Sequence, residues 1–198
     1  PEAIAHAVTF GAEGIGLCRT ERMFNAPERL SVIRQFILAE NAARQAEVIE
    51  HLRELQTGDF ITLFRELKGL PIIIRLLDLP LHEFLPSEQE VIESQVRQRI
   101  AELRETNPML GHRGVRLAVT NPEIYRLQIE AIERASTEVA ADVSIMIPQV
   151  ITAQEALTVK SLLKGSNMMV GVMMETVRAC MRAGHLATEV DFFSFGTN

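Results

Sequence analysis

The chain has 198 residues, 47% hydrophobic and 23% charged, which suits a single domain with a buried core and excludes a disordered polymer. Its formal net charge of -6 leaves no basic footprint for a nucleic acid. No apolar run approaches the roughly 18 residues of a membrane span, and Pro1-Glu2-Ala3 lacks the basic-then-apolar order of a signal peptide.

Gly14 to Cys18 is a short apolar stretch that ends at Arg19-Thr20-Glu21. From Pro27 to Leu55, Ile33, Ile37, Ala42, Val48, Ile49 and Leu52 fall mostly at helical spacing. Thr57-Gly58-Asp59 is expected to interrupt that helix, with a second helical piece over Phe60 to Leu67 closed by Gly69 and Pro71. Ile72 to Leu77 is β-branched and continuous, the pattern of a strand buried on both faces. A proline-rich loop, Pro80 to Pro86, leads to a polar helix over Glu88 to Glu105.

Asn107 to Gly114 reads as an irregular loop. Asn121-Pro122 opens a helix with a capping residue and Pro at its first position, running to Ser136. Val143 to Pro148 is a strand, Ala153 to Leu163 a helix ended by Gly165, Met168 to Met174 a strand reaching Glu175, and Val190 to Phe195 the last strand. Alternating strands and helices predict right-handed parallel β/α units. The fold class is α/β, a (β/α)8 TIM-type barrel truncated to about six of its eight strands. The absent initiator Met and the ending at Phe195-Gly196-Thr197-Asn198 suggest a segment of a longer protein. Cys18 and Cys180 have no metal-binding spacing. Cys18 beside Arg19 is expected to be a buried thiol, and the methionines 168, 169, 173 and 174 to be core filler.

Polar groups recur at the carboxyl ends of the strands: Arg19, Arg75, Gln149, Glu175 and Asn198. In a barrel those ends converge on one face, where active sites form. Arginine binds phosphate or carboxylate through a planar fork, so arginines aimed at one face suit a doubly anionic ligand. A glutamate among them is repelled unless a cation intervenes, which points to Mg²⁺ and a small phosphorylated acid. Arg116 is expected in a structural salt bridge, and the histidines at loops or on the surface.

Gly14 to Phe24, Arg75 to Pro86, Asn107 to Gly114 and Asp191 to Asn198 occur in this order and resemble the motifs of the phosphoenolpyruvate-utilising enzyme family. The second motif, Arg75-Leu76-Leu77-Asp78-Leu79-Pro80-Leu81-His82-Glu83-Phe84-Leu85-Pro86, is similar to the dikinase branch. It departs from that branch at Leu79, where a proline is usual, and Val177 stands where the family often has a proline after the glutamate. The synthase and enzyme I branches use the same barrel with other phosphoryl partners. A degenerate fragment that only packs against a partner chain is a third, non-enzymatic possibility.

The resemblance implies a barrel that binds pyruvate and phosphoenolpyruvate with Mg²⁺ during phosphoryl transfer from and to a phosphohistidine. Arg19 and Arg75 would bind the phosphoryl and carboxylate groups, and Arg113 would stand near the phosphate. Glu175 would coordinate Mg²⁺, and Gly196, Thr197 and Asn198 would contact substrate. The second metal-binding aspartate, the proton-donating cysteine and the phosphocarrier histidine match nothing in this chain, so the chain alone is expected to be inactive. The resemblance further implies ATP and AMP bound by another domain of the parent, a homodimer, and a cytoplasmic or organellar enzyme.

Overall fold

The computed structural model describes residues 2–39, 42–87, 91–163 and 165–197. Five strands form one parallel sheet: β1 (Ile15–Arg19), β2 (Ile72–Arg75), β3 (Val143–Ile147), β4 (Val170–Met174) and β5 (Phe192–Phe195). Each strand pairs with its sequence neighbour, in the order β1-β2-β3-β4-β5. That unbroken order belongs to a barrel; a doubly wound sheet reverses direction partway. The sheet is a curled half-barrel, so the expected truncated (β/α) barrel is present, with five strands among the described residues instead of about six.

The registers place Arg19 beside Arg75, Arg75 beside Met146, and Met174 beside Phe195. All five carboxyl ends therefore lie along one margin. β3 and β4 are buried throughout, and Ile74, Ile145 and Val172 are fully enclosed. Full burial of such side chains stabilises by about 1.5–3 kcal/mol each. β1 and β5 form the two edges and are partly exposed, which is why Leu17 and Phe195 face solvent.

The helices are α1 (Glu2–Thr9), α2 (Pro27–Ile37), α3 (Ala42–Leu67), α4 (Ser94–Leu103), α5 (Val115–Thr120), α6 (Pro122–Val139), α7 (Ala153–Lys160), α8 (Val177–Met181) and α9 (Ala183–Leu186). The break expected at Thr57-Gly58-Asp59 is absent, because α3 runs through it. One glycine costs a helix only about 1 kcal/mol. Here Thr57 and Thr62 bond back to the carbonyls of Arg53 and Gly58, and Asp59 is held by Arg29. The real interruption lies earlier, after α2 at Ile37. α3 stops at Leu67, and Lys68 and Gly69 both turn with positive φ. Asn121 precedes Pro122 as expected, but its side chain makes no capping bond. Thr152 instead builds a full capping box with Glu155 at the start of α7. Glu88, where the polar helix was expected to begin, lies outside the described residues; α4 covers the later part of that stretch. Met173 and Met174 are core residues, whereas Met169 is exposed. No helix among the described residues is long and apolar enough to cross a membrane.

Candidate active site at the carboxyl ends of the strands

Arg75 is the last residue of β2, and the chain leaves the sheet through Leu76, Leu77 and Asp78. Asp78 is almost completely buried, at 1% exposure. Its Oδ1 accepts from Arg113 Nε at 3.2 Å and its Oδ2 from Arg113 Nη2 at 3.0 Å. The same Oδ2 stands 3.1 Å from Arg75 Nη1. Glu21, in the 3-10 turn after β1, accepts from Arg75 Nη2 at 3.2 Å and from the Asp78 backbone N–H at 2.8 Å. Thr20 donates to the Arg75 carbonyl at 3.1 Å. Two arginines that would repel each other are thus held side by side by two buried carboxylates. Such charges belong in an interior only when paired and hydrogen-bonded.

Arg113 comes from the irregular 107–114 loop, which is tied to its surroundings at several points. Asn107 caps the Met109 N–H, Glu105 accepts from the His112 N–H, and Arg116 donates to the carbonyls of Leu110 and Gly111. Arg116 is therefore held through carbonyls, and no salt bridge of the expected kind joins it to another described residue. Gly114 has φ +56°, and a Cβ there would lie 2.8 Å from Gln149 Cβ and 3.0 Å from Asp78 Oδ1. Only glycine lets the loop pass this close to the carboxylate.

Glu175 follows β4 directly. Its Oε1 accepts from the Gln149 backbone N–H at 2.7 Å. Gln149 holds φ +61°, an uncommon conformation for a residue with a Cβ, and such strain gathers at functional sites. Burial raises the Glu175 carboxyl above its ordinary value; Asp78 raises it further, while the Gln149 N–H and the charges of Arg75 and Arg113 pull it down. These influences place the glutamate in the same electrostatic field as the arginine pair. Gly196 lies against it, with a Cβ there 2.8 Å from Glu175 Cβ and 3.4 Å from Oε2.

The structure thus gathers Arg75, Arg113, Gln149, Glu175 and Gly196. Arg19 is the register neighbour of Arg75, but its side chain is exposed and lines a groove with Leu17, Arg22 and Leu63. Thr197 is exposed beyond β5, and Asn198 lies outside the described residues. Sequence reasoning assigned no role to Glu21, Asp78, Tyr125 or Gln128. Asp78 stood inside the second motif, and the i, i+3 spacing of Tyr125 and Gln128 offered no signal of chemistry.

The cluster sets two guanidinium groups, Arg75 and Arg113, against three carboxylates, Glu21, Asp78 and Glu175. An anion gains little there without further positive charge. No group of three or more His, Cys, Asp or Glu able to hold a metal exists among the described residues. Mg²⁺, however, is commonly held by one or two carboxylates together with substrate oxygens and water. Glu175 fits that role, since Oε2 accepts no hydrogen bond among the described residues and glycine keeps the space beside it open.

An open barrel-type sheet with a braced arginine pair and a half-buried glutamate along its carboxyl margin is the arrangement of a (β/α)-barrel ligand-binding domain. The chain belongs to the family described as PEP-utilising enzyme, PEP-binding domain, which it matches over residues 1–198. It is 42% identical over 233 residues to the pyruvate, phosphate dikinase of Entamoeba histolytica, covering 100% of this chain and 26% of that protein. It is 44% identical over 220 residues to the enzyme of that name from Rhizobium meliloti, covering 97% and 24%, and 42% identical over 226 residues to that of Clostridium symbiosum, covering 100% and 26%. The chain spans about a quarter of the length of these relatives.

Proposed function

We propose that this chain is the pyruvate- and phosphoenolpyruvate-binding part of a pyruvate, phosphate dikinase. The parent interconverts ATP, pyruvate and phosphate with AMP, phosphoenolpyruvate and pyrophosphate by way of a phosphohistidine, and its nucleotide site lies on another domain. The observation that carries this is the braced pair Arg75 and Arg113, joined through Asp78, with Glu175 anchored on the Gln149 N–H along the same carboxyl margin.

Arg75 and Arg113 bind the phosphoryl and carboxylate oxygens of the substrate. Because Asp78 and Glu21 hold them before the ligand arrives, little reorganisation is needed when charge develops during transfer. Arg19, exposed beside Arg75, adds a third positive charge when an anion enters. Gly196, Thr197 and Asn198 contact the substrate at the mouth of the last strand. Glu175 would hold Mg²⁺, which would supply electrostatic stabilisation of negative charge developing on the substrate. The parent is a cytoplasmic or organellar enzyme that works as a homodimer.

The test uses the full-length protein with phosphoenolpyruvate, AMP, pyrophosphate and Mg²⁺. Formation of ATP and pyruvate that depends on pyrophosphate is the expected result. Pyruvate formed instead with AMP and orthophosphate, or with a phosphocarrier protein, would move the chain to the synthase or enzyme I branch.

A further inference from the structure

The backbone that delivers Asp78 to the arginines is held from outside the sheet. Leu76 still bonds to the β3 ladder through its N–H on the Met146 carbonyl. Leu77, fully enclosed, lies beyond the strand and takes both its polar partners from side chains. The Tyr125 hydroxyl donates to the Leu77 carbonyl at 2.7 Å, and the Leu77 N–H donates to Gln128 Oε1 at 2.9 Å. The following N–H, that of Asp78, is taken by Glu21. Tyr125 and Gln128 are one turn apart on α6 and share a face, so one rigid element grips the peptide on both sides.

We propose that Tyr125 and Gln128 are positioning residues of the anion site, clamping both backbone groups of Leu77 and so fixing Asp78, the carboxylate shared by Arg75 and Arg113. The proposal rests on the anion-binding function argued above. Two further observations support it. Gln128 Nε2 is buried with no hydrogen-bond partner among the described residues, so the amide is held through its acceptor. Burial, followed by the charges of Asp78 and Glu21, raises the Tyr125 phenol well above its ordinary value, which keeps it a neutral donor within the field of the site. Apolar side chains at both positions would leave the enclosed Leu77 N–H and carbonyl without these partners.

The experiment compares full-length protein carrying Tyr125→Phe, Gln128→Met or, as a control on the same helix, Thr137→Ala. Thr137 is exposed and, among the described residues, its hydroxyl bonds only within α6. Two quantities are read: kcat and KM for phosphoenolpyruvate, and hydrogen exchange of peptides spanning residues 76–79. Both clamp variants are expected to raise KM about tenfold with a smaller change in kcat, because misplaced binding groups cost that order of affinity. Exchange at Leu77 and Asp78 should quicken while β3 is unchanged, and the control should match the unmodified protein. Unmodified KM and unmodified exchange in both variants would overturn the proposal, as would a uniform loss of protection across the sheet. If the unmodified protein does not turn over phosphoenolpyruvate, the functional assignment fails, and exchange at Leu77 and Asp78 alone decides whether the clamp exists. Should Tyr125→Phe fail to fold, Gln128→Met is read by the same measures.

Discussion

Asp78 grips Arg113 through both carboxylate oxygens, at 3.2 and 3.0 Å, and the oxygen nearer Nη2 stands 3.1 Å from Arg75. One buried acid therefore sets the spacing of two guanidinium groups on different segments of the chain. Asp78→Asn keeps the shape and removes the charge, leaving Glu21 as the one carboxylate among the described residues still bonded to the arginine pair. Breaking a buried pair in this way costs about 3–5 kcal/mol. The expected outcome is a fall of that size in the opening free energy of β2, measured by native-state hydrogen exchange. Unchanged protection of Ile73 and Ile74 would show that the arginines do not need this acid.

Gly114 carries a second, sterically defined prediction. A Cβ at this position meets Gln149 Cβ and Cγ at 2.8 Å, and φ +56° is strained for any residue but glycine. Gly114→Ala should cost about 1–3 kcal/mol from backbone strain, and the displaced loop should carry Arg113 away from Asp78. Phosphoenolpyruvate binding by the full-length protein is expected to weaken in parallel with stability. A variant that loses neither would mean the loop has room to shift without moving the arginine.

How far these features could be read beforehand depended on whether their signal was local. The buried strands were legible because runs such as Ile72-Ile73-Ile74 have no other way to satisfy their apolar faces. Arg75 and Glu175 drew attention because they sit where strands end, whereas Arg113 was singled out only through the resemblance of the 107–114 motif. α3 was misread at Gly58, since a glycine signals a break only when nothing else holds the turn, and the Arg29–Asp59 pair that does so spans 30 residues of sequence. Glu21, Tyr125 and Gln128, and the bond of Asp78 to Arg113, act through contacts more than 30 residues apart in the chain, which no local pattern records.

The two thiols should separate cleanly by reactivity. Burial, and then the nearby Glu21 carboxylate, pushes the Cys18 thiol up to about 11, whereas Cys180 is exposed on α8. At pH 8 about one Cys18 in a thousand is thiolate, and the thiolate is the nucleophile. Iodoacetamide at that pH is expected to alkylate Cys180 and leave Cys18 unmodified, as read by peptide mass spectrometry. Equal labelling would mean that β1 opens readily at its exposed edge.

Glu175 makes stability depend on pH in a direction opposite to that of a salt-bridged acid. Its carboxyl is raised above the ordinary 4.5, first by burial and then by Asp78, so the folded chain holds the proton more tightly than the unfolded one. The stability contributed by this proton is fully present below the unfolded value and is lost as pH rises through the folded value. Glu175→Gln removes the titration, so its stability should change less with pH above about 4.5, and at neutral pH it should equal or exceed that of the unmodified protein. Mg²⁺ reverses the comparison, because a bound cation favours the ionised carboxylate. Adding Mg²⁺ at neutral pH should raise the thermal midpoint of the unmodified protein and leave that of Glu175→Gln where it was. Equal stabilisation of both by Mg²⁺ would place the ion on other oxygens and remove Glu175 from the metal site.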